Sequence, residues 1–241
     1  WHRAWADALA QAYGSAARDI ASELALHLER GQLPVAAAEQ LSIVATRALE
    51  RGAAVEARAA ALHGLLLGTG QLPKALELEL RVLEGVALTR LHVLAHPQVA
   101  KAFSQALALQ AESAPAWPRA LQGAWWVHYA RGELDEARSL AGQMLALADS
   151  GDTALRLAAH NALGIVNLLS GDISRARDEL ESAFNLHARE GMHLPPTHYV
   201  QDPGVEVASG LALACWLAGE PRRARDLARQ AAQRAATSHH A

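Results

Sequence analysis

A short glycine-centred phrase recurs along the chain and restricts the fold more than any other feature of the sequence. It consists of Gly, a polar residue, an apolar residue, two further residues and Ala. Clear copies lie at Gly31–Ala36, Gly132–Ala137, Gly171–Ala176 and Gly219–Ala224, with weaker copies at Gly52–Ala57 and Gly70–Ala75. Glycine takes the left-handed conformation that ends an α-helix, whereas an acid or Pro favours the first turn of the next helix. The phrase therefore predicts a series of antiparallel helix hairpins.

The residues on both sides of these turns have helical periodicity. After Gly171, apolar side chains recur at three- and four-residue steps on one face, and charged side chains occupy the other face. Gly164 lies seven residues before Gly171, where a small residue lets the two helices of a hairpin approach closely. The buried stripe of the helix before Gly171 is predicted to comprise Leu155, Ala158, Ala162, Leu163, Val166 and Leu169.

These features predict an all-α fold, a right-handed superhelical α-solenoid of antiparallel helix hairpins with about eleven helices. Ala dominates the apolar residues and aromatic residues make up only 5%, which favours closely packed helices over a sheet. The gap from Gly132 to Gly171 is 39 residues and the next, to Gly219, is 48, longer than the roughly 34 of a regular tetratricopeptide unit. The predicted helices lie near 4–12, 15–30, 33–51, 54–69, 73–95, 98–112, 116–131, 133–149, 153–170, 172–190 and 204–237, the last interrupted at Gly219.

The domain organisation is predicted to be a single tetratricopeptide-like domain over residues 1–241. Neither end has the polar capping face that a complete solenoid needs, so we expect a fragment of a larger protein. The segment 85–100 is the least regular and is expected to contain a kink or a short break. The connection 191–202 is longer than hairpin connections usually are. Whether the His pair at 239–240 is native or derived from a tag stays open.

Charge and cysteine content narrow the classes of function. A net charge of −3 gives no case for nucleic-acid binding, and the Arg-rich stretch 222–229 is expected to form a solvated helix face. The single cysteine, Cys215, excludes a disulfide framework and is expected to be buried. No stretch is apolar over the roughly 18 residues that a membrane span requires, so no membrane contact and a cytoplasmic location are expected.

Motifs of catalysis are absent from the sequence. It contains no phosphate-binding Gly-x-x-x-x-Gly-Lys-Ser/Thr, no His-Glu-x-x-His and no Gly-x-Ser-x-Gly. His92 and His96 are four residues apart and could share a helix face as two metal ligands would, but the sequence offers no evident third ligand. We therefore expect no enzymatic activity, no catalytic residue, no metal and no cofactor.

Candidate binding residues lie where a solenoid usually contacts its partners, on the first helix of each hairpin. Aromatic and polar residues there are Trp125, Trp126, His128 and Tyr129 on one helix, His160, Asn161 and Asn167 on the next, and His198 and Tyr199 in the long connection. Adjacent residues are about 100° apart around a helix, so one of the two indoles is expected in the core and the other in the groove. For the polar candidates, a hydrogen bond between adjacent hairpins is the alternative to a ligand contact.

The chain resembles the tetratricopeptide region of large bacterial signalling ATPases. In these proteins an AAA-type or STAND-type module is fused to a class III cyclase, a protein kinase or a winged-helix transcriptional regulator. The resemblance spans nearly the whole chain. It lies in RDIASELALHLERG (18–31), WWVHYARGELDEAR (125–138), AHNALGIVNLLSGDISRARDELESA (159–183) and HYVQDPGV (198–205).

The resemblance implies a helical region that receives a signal and gates an ATPase, which this chain itself does not contain. We therefore expect a non-catalytic protein-interaction or signal-sensing module, whose partner is a protein or peptide and could be its own flanking ATPase domain. A receptor for a small-molecule effector, bound within the superhelix, is the first alternative. A structural spacer or dimerisation module is the second.

Overall fold

In a computed structural model, residues 1–148, 152–190 and 202–237 are described, and they form helices without any strand. The predicted all-α fold of antiparallel helix hairpins is confirmed. Twelve α-helices and a 3-10 helix at Gly14–Ile20 occupy these ranges. The α-helices are α1 His2–Tyr13, α2 Ala21–Arg30, α3 Pro34–Glu50, α4 Ala54–Leu67, α5 Lys74–Leu91, α6 Pro97–Ala108, α7 Trp117–Arg131, α8 Leu134–Ala148, α9 Thr153–Leu169, α10 Ile173–Glu190, α11 Pro203–Leu217 and α12 Pro221–Thr237.

The helices form two compact units, Trp1–Ala120 and Leu121–Ala241, with the boundary inside α7. In the first unit, consecutive helices from α1 to α6 pack on one another and α3 also contacts α5. In the second unit, consecutive helices from α8 to α12 pack on one another and α9 also contacts α11. Helices α3 and α5 therefore lie side by side in the first unit, as α9 and α11 do in the second.

The turn glycines end helices in the way that the sequence predicts. Gly132 has φ 72°, and the N–H of Glu133 donates to the carbonyl oxygen of His128 at 3.0 Å. This six-residue closure is repeated after Gly171 and Gly219, which have φ 83° and 84°. It satisfies carbonyl groups that the helix end would otherwise leave without a partner.

At Gly31 the expected left-handed glycine is wrong by one residue. Gly31 has φ −78°, and Gln32 takes the left-handed conformation with φ 57°. The closing bond falls one residue later than at Gly132 and runs from the N–H of Leu33 to the carbonyl oxygen of Leu28. The reversal of the chain therefore falls on a residue that has a side chain.

Close helix contacts in both units rest on a glycine that faces a leucine sixteen residues later. A Cβ added at Gly164 would lie 2.5 Å from Leu180 Cγ, so α9 and α10 touch at the position that the sequence indicates. Gly64 and Leu80 have the same relationship between α4 and α5, with a closest distance of 3.1 Å. The stripe predicted before Gly171 is only partly buried, because Leu169 is exposed and Leu163 is half-buried. Cys215 is buried as expected, and burial raises the pKa of its thiol.

The chain leaves the helical conformation between α5 and α6. His92 follows the end of α5, and His96 precedes the start of α6 at Pro97. The two imidazole rings stack at 4.1 Å, and His96 Nδ1 accepts a hydrogen bond from the N–H of Gln98, which caps α6. The pair therefore does not share a helix face as two ligands on one helix would.

Neither a metal centre nor a membrane-spanning helix is found in the described ranges. No three His, Cys, Asp or Glu side chains come together there as a group that could hold a metal ion. No helix within those ranges is both long and apolar enough to cross a bilayer.

Candidate functional site

The aromatic candidates of α7 form a packed cluster. The Trp125 and Tyr129 rings stack in parallel at 5.2 Å, and Trp126 meets both edge-on, at 5.0 Å from Trp125 and 5.7 Å from Tyr129. Trp125 is 2% exposed and Trp126 is 8% exposed. Neither indole is therefore available at the surface, in contrast to the expectation that one of them would be. Only Tyr129 is half-buried.

One polar atom of this cluster has no hydrogen-bond partner among the described residues. The indole Nε1 of Trp125 is buried and makes no hydrogen bond within the described ranges. A buried N–H group without an acceptor costs about 1–3 kcal/mol, so the packing of the three rings must offset that cost. Ring pairs in these arrangements contribute roughly 0.5–1.5 kcal/mol beyond the apolar area that they bury. Trp125 is consequently a core residue of α7.

His128 is bound to the turn that follows its own helix. Its Nδ1 lies 2.6 Å from a carboxylate oxygen of Glu133, the residue after the turn glycine. Both side chains are partly exposed. The pair links the last turn of α7 to the start of α8, and part of each side chain is exposed to solvent.

The three polar candidates of α9 each bond a different neighbouring helix. His160 Nδ1 lies 2.7 Å from Glu179 of α10. Asn161 and Asn167 are buried, and the first donates to Glu206 of α11 while the second accepts from Arg138 of α8. The geometry thus supports the alternative that these residues join adjacent helices.

The bond from Asn161 to Glu206 has an electrostatic consequence. Burial raises the pKa of Glu206 to about 7, and the hydrogen bond from Asn161 acts against that rise. The other amide atom, Asn161 Oδ1, is buried and has no hydrogen-bond partner within the described ranges. This contact between α9 and α11 therefore has incomplete hydrogen bonding and a carboxyl that titrates near neutrality.

The two remaining sequence candidates lie outside the described residues. His198 and Tyr199 fall in the gap between 190 and 202, as does most of the long connection. The His pair at 239–240 also lies beyond the described range, which ends at Thr237.

Sequence reasoning missed a set of exposed apolar side chains on α9 and α11. Four of them are between 49% and 60% exposed, and we call them the apolar strip: Leu169, Leu213, Trp216 and Leu217. Leu169 and Leu217 hold equivalent positions in the two hairpins, since each lies two residues before a turn glycine, whereas Trp216 corresponds to Leu168, which is buried. The register of the turn glycines is the signal in the sequence that relates these positions.

The strip lies on one layer of the second unit. Helices α9 and α11 contact each other, and residues 45 positions apart are neighbours, as Asn161 bonds Glu206 and Ile165 lies against Gly210. Half-buried Ile165 is the equivalent of Leu213, six residues before its turn glycine. Tyr129 occupies on α7 the position that Trp216 occupies on α11, three residues before the glycine.

Comparison with known proteins gives matches in structure only. Neither protein-family profiles nor curated protein sequences match the chain. BtubC (BKLC) from P. vanneervenii superposes with a TM-score of 0.67 and 19% identity, over 95% of this chain and 91% of that one.

Two structures of a kinesin light chain-like protein from Podosopora anserina, which has nearly identical TPR-like repeats, also match. One, a point variant, has a TM-score of 0.60 and 18% identity over 81% of this chain and 92% of that one. The other has a TM-score of 0.58 and 17% identity over 84% and 97%. At these identities the likeness establishes the fold, a TPR-like α-solenoid.

Proposed function

We propose that this TPR-like array is a non-catalytic protein-interaction and signal-sensing module that holds a polypeptide partner on the apolar strip. The observation that carries the proposal is the exposure of four large apolar side chains, one on α9 and three on α11. Exposed apolar patches on a folded protein often mark interaction sites. Aromatic residues such as Trp216 contribute most to such contacts because they bury a large area with few rotatable bonds.

The polar candidates have a supporting role in this proposal. His160, Asn161 and Asn167 hold α9 against α10, α11 and α8, and so fix the spacing of the strip. Tyr129 occupies on α7 the position that Trp216 occupies on α11. The partner that suits such a surface is a peptide segment with two or more aliphatic or aromatic anchors spaced to match the strip.

A peptide selection tests this surface. The whole chain would be used to select peptides from a displayed library, and calorimetry would measure the affinity of each selected peptide. We expect Leu169→Glu and Leu217→Glu to weaken binding about tenfold or more, because each places a charge in the apolar contact. Leu66→Glu is the matched control, since Leu66 is an exposed leucine of α4 in the first unit.

Two outcomes of the selection would contradict the proposal. Selected peptides that bind both strip variants as tightly as the original chain would place the partner elsewhere. A selection without enrichment would also count against a peptide-binding surface.

The sequence resemblance extends the proposal to a larger bacterial regulator. In that setting the array passes a binding event to a nucleotide-binding and effector module outside these 241 residues. Its test is the nucleotide-hydrolysis rate of the full-length gene product with and without a selected peptide. A rate that changes in the original protein and stays constant in Leu169→Glu supports the linkage, and equal changes in both contradict it.

The two alternatives receive less support from the geometry. An enclosed effector site is expected to bring polar groups together around a cavity. The groove found in the described ranges is open and lies between α11 and α12, away from Trp125 and His160. For a spacer or dimerisation module, sedimentation of the chain should give a stable dimer in which the strip is protected from solvent.

A further inference from the structure

Three aromatic side chains of α1 and α2 form an open cluster in the first unit. The ring centroids of Trp1, Trp5 and His27 lie 6.3 or 6.4 Å from one another, so they mark the corners of a nearly equilateral triangle. The two indole planes are parallel to within 6°, and the imidazole plane is inclined to them by 64° and 58°. We call these three rings the aromatic triad.

The triad differs from the aromatic cluster of α7 in spacing and in exposure. Trp125 and Tyr129 of α7 are also four residues apart with parallel rings, and their centroids are 5.2 Å apart. The corresponding distance between the two indoles of the triad is 6.4 Å. Trp125 is 2% exposed, whereas Trp1 is 85% exposed and Trp5 is 48% exposed. The rings of α7 therefore fill a core, whereas those of the triad are spaced more widely and are open to solvent.

Contacts between α1 and α2 hold the triad in its shape. Nδ1 of His2 lies 2.9 Å from Nδ1 of His27. One residue further along α1, Nε of Arg3 donates to the carbonyl oxygen of Gly31 at 2.6 Å. The triad is thus assembled across two packed helices, with two rings from the first turn of α1 and one from α2.

The faces of aromatic rings attract cations. The attraction comes from the ring quadrupole, acts within about 6 Å of the ring centroid and is strongest for indole. A point in the plane of the three centroids and equally far from each lies about 3.7 Å from all of them. A cation displaced from that point towards solvent, by up to about 4 Å, is still within reach of all three rings.

The chemistry of the three rings selects among cations. A lysine ammonium or an arginine guanidinium carries several N–H donors, and removing these from water costs free energy unless acceptors replace the water. The indoles offer π faces and N–H donors but no acceptor, and one ring nitrogen of His27 is already bonded to His2. A quaternary ammonium group has no N–H donor and loses no hydrogen bond on entering such a site.

Two charged residues of α2 flank His27. Glu23 lies four residues before it and Arg30 three residues after it, so both are within one helical turn of the imidazole. Both are exposed. Glu23 therefore favours a bound cation and Arg30 opposes it, which gives the two side chains effects of opposite sign.

We propose that the aromatic triad binds a quaternary ammonium group, such as that of choline or of a trimethylated lysine side chain. Trp1 and Trp5 supply two of the ring faces and His27 supplies the third. The triad lies in the first unit and the apolar strip in the second, so this inference does not rest on the function proposed for the strip.

Choline and 3,3-dimethylbutan-1-ol are the probes, because they have the same shape and only choline carries a positive charge. Indole N–H signals in NMR spectra of the isotope-labelled whole chain would follow each titration at about pH 8, above the ordinary pKa of an imidazole. We expect choline to bind saturably, to shift the signals of Trp1 and Trp5, and to bind about tenfold or more tightly than the neutral alcohol.

A peptide with one trimethylated lysine distinguishes the two sources of the ligand. Tighter binding of this peptide than of choline would assign the ligand to a protein side chain. Affinity no higher than that of choline would assign it to a free small molecule. The same peptide with unmodified lysine should bind at least about tenfold more weakly, because its ammonium keeps N–H donors that the triad does not satisfy.

Substitutions in the triad and beside it test the assignment. Trp5→Ala should weaken choline binding about tenfold or more, and Trp5→Phe should weaken it less because a phenyl ring keeps a weaker π face. Trp216→Ala is the matched control, since Trp216 is a 60% exposed indole outside the triad. Glu23→Gln should weaken binding and Arg30→Gln should strengthen it, each about two- to threefold, and added salt should reduce both effects.

Three results would overturn the proposal. The first is the absence of saturable choline binding, or an affinity for choline equal to that for the neutral alcohol. The second is unchanged affinity in Trp5→Ala and Trp5→Phe, each with the circular dichroism spectrum of the original chain. The third is choline binding by the 241-residue chain that the full-length gene product lacks, because another segment of that product would then occupy the triad.

Discussion

Glu206 of α11 accepts a hydrogen bond from the amide of Asn161 on α9, with Oε1 and Nδ2 2.6 Å apart. The bond spans 45 residues of sequence and joins two helices of the same layer. Burial raises the pKa of this carboxyl to about 7, even though the Asn161 bond opposes the rise. Protonation of Glu206 therefore stabilises the folded chain by removing the cost of burying its charge, although the bond from Asn161 favours the ionised form.

The stability of the chain should consequently depend on pH through Glu206. In the unfolded chain this carboxyl titrates near 4.5, and in the folded chain near 7. Its stabilising contribution is complete below about pH 4.5 and is lost as the pH rises towards 7, with a slope of at most about 1.4 kcal/mol per pH unit. Urea denaturation followed by circular dichroism at several pH values would measure it.

The shifted pKa of His187 also makes stability depend on pH, so the Glu206 measurement needs a matched control. Burial lowers the pKa of this imidazole below 6.5, and Arg234 lowers it further whereas Asp202 acts to raise it. A lowered imidazole pKa stabilises the folded state at high pH and is lost on acidification, which opposes Glu206. The contribution of Glu206 is therefore the difference between the original chain and Glu206→Gln. A difference that stays constant from pH 4.5 to 7 would contradict the assignment.

A second prediction concerns Asp202, which caps α11 and binds Arg234 of α12. One carboxylate oxygen accepts from the N–H of Val205 at 3.0 Å and from Arg234 Nε at 2.5 Å, and the other accepts from Arg234 at 3.1 Å. Burial acts to raise the pKa of Asp202, but the bonds from Arg234 and Val205 outweigh it and hold the pKa below 3.8. Asp202→Ala should lower the free energy of unfolding by about 2 kcal/mol.

Asp152 provides the comparison for this substitution. Its carboxylate caps α9 by accepting from the N–H of Leu155 at 3.0 Å, without an arginine in the same contact. Asp152→Ala should therefore cost about 1 kcal/mol, the value of a cap alone. Thermal and urea unfolding would compare the two variants, and equal losses would show that Arg234 adds nothing. The contribution of Asp202 is present above pH 3.8 and should disappear as the pH falls through its lower folded value.

Local features of the fold follow from the sequence because they depend on neighbours in the chain. The closure at Gly132 needs one left-handed residue and a helix on each side. Asp202 caps α11, and Pro203 at the first helical position has the residue type that this position favours. The left-handed conformation of Gln32 was not predicted, because the position of the closing bond, which is one residue later there than at Gly132, is not evident from the glycine.

The candidate site was less predictable, because a helix in the middle of an array is covered on several sides. Trp126 and Leu169 are both apolar, yet the first is buried and the second exposed. The periodic pattern of α9 has apolar residues around most of its circumference, so it does not identify the open side. The partners of Asn161 and His160 lie 45 and 19 residues away, which only the folded chain reveals.

The last prediction tests the close approach of α9 and α10. A Cβ at Gly164 would lie 2.5 Å from Leu180 Cγ and 3.2 Å from the backbone nitrogen of Leu180, so the helices must move apart. Gly164→Ala should therefore lower the free energy of unfolding by about 1–3 kcal/mol. Gly142 of α8 is exposed and has nothing within 4 Å of an added Cβ, so Gly142→Ala should raise it by about 0.5–1 kcal/mol. Urea denaturation measures both changes, and a stabilising Gly164→Ala would mean that α9 and α10 are further apart than described.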